Sequence, residues 1–326
     1  MIISRTPFRI SFVGGGTDLR VFYKKEFGQV LSTTINKYIY VAVKRQTEIV
    51  DFKYRINWSK VEFTNNIDDI EHPIIREAFR MLNIDFPCEV TTFADIPAKS
   101  GLGSSSSFSV GLLNALYALK GQMVKKETLA KQAAEIEIDI LKRNMGKQDH
   151  YAAAYGGINI ITFNSDETVR VDPIIKDYNS LQDLAGKLLL FFTGQTRDAS
   201  EILKSQTKAT AEKFEILKKM RELVPKLKKM IENEDHNSFG QLLHENWLLK
   251  KSITNDISNG EIEEYYKKAM DGGAIGGKLL GAGGGGFLCF YANQNKQKNV
   301  KNSLSELYNL EYEFENAGTQ ITYYDQ

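Results

Sequence analysis

The sequence predicts an α+β protein in which helices and strands are intermixed. Three observations carry that reading. Short β-branched, aromatic or alternating segments at 8–13, 38–43 and 88–93 read as strands. Segments with apolar residues at helical spacing are interleaved with them, but without the regular alternation of a doubly wound sheet. A length of 326 residues, with 42% hydrophobic and 25% charged residues, suits a globular chain of about two domains.

In chain order, the strand at 8–13 runs into Gly14-Gly15-Gly16, and YIYVAV at 38–43 and CEVTTF at 88–93 come next. A loop at 97–103 leads into a serine run, after which Phe108, Leu112, Leu113, Leu116 and Tyr117 mark a helix. A second helix is expected over about 126–144, with Leu129, Ala133, Ile136 and Ile140 on one face and Gly146 as its stop. GINIITF at 157–163 and residues 187–193 read as strands. A charged helical region at 199–232 is expected to break at Pro225, and its mixed lysines and glutamates read as a solvated face. Residues 261–270 look helical, and strands at 278–280, 287–291 and 321–324 complete the chain. The polar stretch 172–186 reads as a linker, which divides the chain into domains 1–185 and 186–326.

Lys and Arg number 42 against 41 Asp and Glu, so no broad positive field draws in nucleic acid or an anionic membrane. Cys88 and Cys289 are too few and too far apart for a disulfide framework or a Cys-x-x-Cys metal pair. No secretory leader or spanning segment is evident, so a cytoplasmic protein acting on a small molecule is expected, as monomer or homodimer.

Glycine clusters at 14–16, 101–103 and 281–286 each come after an apolar segment. The central one is the most informative: Lys99-Ser100-Gly101-Leu102-Gly103-Ser104-Ser105-Ser106-Ser107 runs straight into a helix. Helix N-terminal amides are unpaired and the macrodipole is positive there, so small residues at this point make a polyphosphate site. A lone serine cap would need one serine, without the repeated serines and two glycines. The competing match to a Walker loop, Gly272 to Lys278, fails because Leu279 stands where the metal-binding hydroxyl belongs and a helix, not a strand, precedes it.

These segments resemble the three signature motifs of the GHMP kinases (galactokinase, homoserine kinase, mevalonate kinase and phosphomevalonate kinase). Motif one is similar to residues 7–18 (PFRISFVGGGTD), motif two to 96–106 (IPAKSGLGSSS) and motif three to 278–286 (KLLGAGGGG), in the family's order. The resemblance implies an N-terminal domain like ribosomal protein S5 domain 2, a ferredoxin-like C-terminal domain, and a cleft between them. It further implies ATP and Mg²⁺ as cofactors and transfer of the γ-phosphoryl group to a small-molecule hydroxyl.

By the same resemblance, Lys99, Ser100, Gly101, Leu102, Gly103, Ser104, Ser105 and Ser106 bind ATP. The stretch Glu137 to Asp149 (EIDILKRNMGKQD) is similar to the sugar-kinase segment, which makes Glu137 a Mg²⁺ ligand and Asp149 the catalytic aspartate. Ser104 and Ser105 are both candidates for the hydroxyl ligand. Glu135 lies about 200° around the helix from Glu137 and should point away. Arg9 matches the arginine beside the catalytic aspartate, and Asp18 the aspartate that binds sugar hydroxyls; Gly15, Gly16, Thr17, Gly284 and Gly285 are further substrate contacts. Motif one lacks the Glu and His of galactokinases. Together with Gly146-Lys147-Gln148-Asp149 and Thr193 to Arg197 it resembles the heptose-phosphate branch, whose members phosphorylate the anomeric hydroxyl of D-glycero-D-manno-heptose 7-phosphate on the route to GDP-heptose and surface polysaccharide. Arg197 is then the first candidate for the sugar-phosphate anchor and Lys147 the second. A fucose or other sugar 1-kinase, and a catalytically silent nucleotide and sugar sensor, stay open as alternatives.

Overall fold

The structure, a computed structural model, describes residues 1–47, 49–195 and 213–325. Its larger sheet is organised by one strand of 18 residues, long enough to change neighbours along its length. After β1 (Ile2–Val13) and the short helix α1 (Arg20–Tyr23), this strand, β2 (Gly28–Arg45), runs antiparallel to β1 over most of its course. Next in the chain are β3 (Tyr54–Asn57), β4 (Val61–Thr64), helix α2 (Pro73–Leu82) and β5 (Cys88–Ala94). The far end of β2 pairs with β5, which β3 joins in parallel.

Helix α3 (Ser104–Leu119) takes the serine run as its first turn and so starts four residues before Phe108, where the apolar spacing first marked it. Val110, Leu112, Leu113, Ala115 and Leu116 are buried all round it, so it is sandwiched rather than laid on the surface. Gly111 lets it cross β1 closely, since a Cβ there would lie 2.6 Å from Thr6 Oγ1, and Ser4 Oγ donates to the Gly111 carbonyl at 2.8 Å. This crossing fixes where the N-terminus of α3 points.

Helix α4 (Lys126–Ala134) does not run on to 144. Its continuation, Glu135–Ile140, widens into a π turn and stops, with Leu141 N–H bonded to the Ile136 carbonyl five residues back. The wider turn shifts the helical register by about one position, roughly 100°. Ile140, expected on the buried face, is exposed, while Glu137 is turned inward. Helix α5 (Gln148–Tyr155), β6 (Asn159–Phe163) and β7 (Val169–Pro173) complete this half; β6 pairs with the first part of β2 and with β7. Residues expected to form a linker instead end β7 and form helix α6 (Tyr178–Gly186). Asp177 caps it, accepting from Ser180 N–H at 2.9 Å, and Leu181, Leu184 and Ala185 bury its inner face. The Asn, Ser and Asp that suggested a linker are helix-start residues.

The second sheet is antiparallel throughout. Its strands are β8 (Leu188–Phe192), β9 (Gly276–Leu279), β10 (Phe287–Tyr291) and β11 (Tyr308–Leu310), in the order β11-β8-β10-β9. Between β8 and β9 lie helices α7 (Phe214–Glu232), α8 (His236–Lys251) and α9 (Gly260–Asp271); α10 (Gln294–Ser303) comes after β10. Pro225, expected to interrupt α7, sits inside it. The missing N–H costs about 3 kcal/mol. Buried Leu217, Met220, Leu223, Val224 and Leu227 on both sides of the proline offset it. The earlier part of that region, 199–212, lies outside the described residues.

The chain then returns to the first sheet: β12 (Phe314–Glu315) pairs with β2 and β13 (Gln320–Tyr324) with β1. Helices α7 and α8 pack on each other between the sheets, α7 against β1 and β2, α8 against β9. Phe12 of β1 is a joint of this assembly. It is buried edge-on to Phe239 of α8 (ring centroids 5.4 Å) and to Phe314 of β12 (6.3 Å). We expect Phe12→Ala to cost about 3–5 kcal/mol; urea unfolding should show a lower midpoint with an unchanged slope.

Candidate active site

The phosphate loop takes its shape from its glycines. Gly101 and Gly103 have φ of +86° and +80°, where L side chains are strained, and Gly103 caps α3 in that conformation. The first helical bond runs from Ser107 N–H to the Gly103 carbonyl, so the amides of residues 104–106 precede the intrahelical ladder. Ser104 and Ser105 are partly exposed. Ser106 and Ser107 turn inward, where Ser107 Oγ donates to the Pro7 carbonyl at 2.9 Å. The buried hydroxyls of Ser100 and Ser106 have no partner among the described residues. Leu102 is fully buried beneath the loop and Lys99 is exposed on its rim.

Arg9 ties this loop to the acid. Its Nε donates to Asp149 Oδ1 at 2.7 Å and its Nη2 to Oδ2 at 2.8 Å, while Nη1 donates to the Gly101 carbonyl at 2.7 Å. The backbone adds a fourth link, Arg9 N–H to the Leu102 carbonyl at 3.0 Å. Arg9 is only 4% exposed, Asp149 17%. Asp149 lies in the first turn of α5, where the helix dipole favours a carboxylate. A Cβ on Gly103 would lie 3.4 Å from Asp149 Oδ2, so the phosphate loop and the acid share one crevice.

Asp18 faces the same helix start. Its Oδ2 accepts from Gln148 N–H at 3.3 Å and its Oδ1 from Gly16 N–H at 3.0 Å. Burial pushes the Asp18 carboxyl above its ordinary pKa, and the negative charge of Asp149 adds to that. Gly146 must be glycine here, because a Cβ would fall 1.9 Å from Asp18 Oδ2. Gly15 lies beside Gln148. Thr17 is wholly buried, and its hydroxyl donates to the Gly14 carbonyl at 2.7 Å, so its side chain holds the glycine loop in place.

Glu137 is 0% exposed yet ionised. Burial alone would raise its pKa, but the His150 hydrogen bond, the charges of His150 and Arg143, and Ser105 outweigh it and hold the carboxyl at about 2. Ser105 Oγ donates to Oε2 at 2.5 Å, Ser109 Oγ to Oε1 at 2.8 Å, and His150 Nε2 lies 3.1 Å from Oε1. Arg143 Nη1 reaches both Glu137 Oε2 at 2.5 Å and Ser105 Oγ at 2.8 Å, so a cation already rests on this carboxylate and hydroxyl. Of the two candidate serines, Ser105 is the one on Glu137; Glu135 is exposed.

Motif three packs directly on the phosphate loop. A Cβ on Gly281 would meet Gly101 Cα at 2.6 Å and one on Gly286 the Ser100 carbonyl at 2.4 Å; Phe287 N–H donates to that carbonyl at 3.1 Å. Gly284 and Gly285 are buried, the first bonded through its N–H to the Ile257 carbonyl and the second against Gln195. These glycines therefore admit protein backbone. Arg197 lies outside the described residues. Lys147 is paired with Glu167 and lies 5.0 Å from the Tyr23 ring.

Two family models match this chain: "GHMP kinases N terminal domain" over residues 73–157 and "GHMP kinases C terminal" over 220–310. Over 317 residues it is 32% identical to the D-glycero-alpha-D-manno-heptose 7-phosphate kinase of Campylobacter jejuni, covering 93% of each chain. This chain belongs to the GHMP kinase family. It is also 24% identical to the bifunctional fucokinase/GDP-fucose pyrophosphorylase of Arabidopsis thaliana, over 92% of this chain and 31% of that protein. The fold matches the crystal structure of a D-glycero-D-manno-heptose 1-phosphate kinase from Bacteroides thetaiotaomicron with a TM-score of 0.82, at 24% identity and full coverage of both chains. The α+β fold with N- and C-terminal GHMP kinase domains is thereby shown. Among the described residues no helix is long and apolar enough to cross a membrane.

Several polar residues of this GHMP kinase site escaped sequence reasoning. Ser109 stands four residues after Ser105, a spacing that puts both on one helix face and could have revealed it. His150, Arg143, Lys250 and Lys278 have no local signal, because their partners lie on other elements. The glycine packing is testable. Gly101→Ala meets the Leu280 carbonyl at 2.6 Å as well as left-handed strain, whereas Gly121→Ala (φ +70°) meets strain in open space. We expect Gly121→Ala to cost about 1–2 kcal/mol in chemical denaturation. Gly101→Ala should cost clearly more and should also weaken binding of an ATP analogue.

Proposed function

We propose that this kinase transfers the γ-phosphoryl group of ATP to the anomeric hydroxyl of D-glycero-D-manno-heptose 7-phosphate, giving the 1,7-bisphosphate for GDP-heptose and surface polysaccharide synthesis. The observation that carries phosphoryl transfer is the Arg9 fork, which holds Asp149 against Gly103 of the phosphate loop. The heptose assignment draws on the 32% identity to the Campylobacter jejuni enzyme and on the Gly14-Gly15-Gly16-Thr17-Asp18 and Gly146-Lys147-Gln148-Asp149 segments. L-Fucose is the second acceptor, favoured by the similarity to the Arabidopsis thaliana fucokinase. We take the reaction to be cytoplasmic and place the division between the two domains near residue 185.

Phosphoryl transfer needs positioning and charge compensation more than covalent chemistry. In this reading the α3 amides and the Ser104 and Ser105 hydroxyls cradle the nucleotide phosphates, with Lys99 at the rim. Asp149, held by Arg9 in the first turn of α5, accepts or orients the proton of the sugar hydroxyl. The anomeric hydroxyl is the most acidic on the sugar, which eases removal of its proton. Asp18, Gly15 and Gly16 lie beside Asp149 on the sugar side, and Arg197 is the proposed anchor for the distal phosphate. In this reading Glu137 and Ser105 would hold Mg²⁺: their carboxylate and hydroxyl oxygens are hard ligands in contact with each other, and the Arg143 guanidinium resting on both supports a site for positive charge. When bound, Mg²⁺ would neutralise charge on the β- and γ-phosphates.

ADP release measured over a panel of sugars and sugar phosphates tests the reading. Turnover with heptose 7-phosphate is expected; turnover with fucose alone would favour the second acceptor, and no turnover with any sugar would leave a nucleotide and sugar sensor. Asp149→Asn should bind ATP with near-normal affinity but lose roughly 10²–10⁴-fold in kcat. Near-normal kcat would remove Asp149 from the reaction.

A further inference from the structure

Below the glycine contact between motif three and the phosphate loop lies a lysine that no motif contains. Lys250, at the end of α8, is 6% exposed. Its Nζ donates to the carbonyl of Gly281, and among the described residues that is its one hydrogen-bond acceptor. An ammonium carries three N–H donors, so two remain without a partner among the described residues, in a nearly closed environment. Lys278 makes the contrast: it is equally buried, but it donates to the Ser11 carbonyl at 2.7 Å and to the Phe12 carbonyl at 2.8 Å.

The carbonyl that Lys250 holds belongs to the residue that touches Gly101, whose own carbonyl is held by Arg9. Two cations thus grip two backbone segments that press on each other, one from each half of the molecule. Resting on the phosphotransfer reading above, we propose that Lys250 is a positioning residue for the nucleotide: its ammonium seats the phosphate loop on motif three and contributes positive charge beneath the bound triphosphate.

The surrounding charges make this role dependent on pH. Arg9 faces Lys250 from β1, Asp18 from the loop after β1, and Lys278 from β9; on α8 itself the neighbouring Lys251 is paired with Glu263. Burial, reinforced by Arg9 and opposed by Asp18, lowers the Lys250 pKa to about 8. Burial also drives Lys278 well below the ordinary lysine range, toward its neutral form. Once Lys250 loses its proton, the positive charge it sets beside Arg9 and Asp18 is gone. Anion affinity should then fall as pH rises through about 8.

The experiment measures binding of ATPγS with Mg²⁺ by calorimetry from pH 6.5 to 9.5, in the wild type, Lys250→Arg and Lys250→Met, each first checked for folding by circular dichroism. We expect wild-type affinity to drop several-fold on an alkaline limb centred near pH 8. Lys250→Arg, charged throughout, should lose the limb and keep most of the low-pH affinity. Lys250→Met should bind about 10-fold or more weakly at pH 7, roughly 1.4 kcal/mol, and show no limb. A wild-type affinity that is flat to pH 9.5, a limb that survives in Lys250→Arg, or a folded Lys250→Met with wild-type affinity would each overturn the proposal. ATPγS binding does not depend on the sugar, so a wrong acceptor would show as absent turnover with the Lys250 effect intact.

Discussion

The bidentate pairing of Arg9 with Asp149 is the interaction on which the rest of the site depends. A buried guanidinium and a nearly buried carboxylate are each costly alone, and removing one partner leaves an uncompensated charge. Here a third donor of the arginine fork goes to the Gly101 carbonyl, so the pair is also locked to the loop before α3. One side chain therefore fixes the distance between the loop before α3 and the Asp149 carboxylate. The strand that carries Arg9 is central for the same reason: β1 lies between β2 and β13 and beneath α3, and has little freedom to shift.

The glycines of motifs two and three serve each other. Gly101 against Leu280 and Gly281, and Gly286 against Ser100, are backbone-to-backbone contacts with no room for a Cβ. They bring the N-terminus of α3 and the loop after β9 together without side chains between them. This keeps the helix amides open on the side away from motif three. It also means that the second sheet, through Lys278 on the β1 carbonyls and Lys250 on Gly281, supports the geometry of a loop that belongs to the first.

The Glu137 centre is a different device. A carboxylate with no exposure stays ionised because four side chains supply hydrogen bonds to it. The π turn makes this possible by rotating Glu137 inward and Ile140 outward.

By itself the sequence determined the α+β class, the body of α3 from Phe108 and the β10 strand, because these depend on local periodicity; the serines proved to be the first turn of that helix. The motifs it contains, by their resemblance to the GHMP kinases, also pointed to Arg9, Asp18, Gly101, Glu137 and Asp149, and to Ser104 and Ser105 together. Only the tertiary structure decided that Ser105 rather than Ser104 meets Glu137, that Thr17 turns inward, and that 172–186 holds helix α6. It alone revealed Lys250, Arg143 and His150, and the backbone carbonyls that Lys278 holds. The physical reason is the same in each case: a buried charge is chosen by partners distant in the chain, and the residues beside it in sequence carry no trace of them.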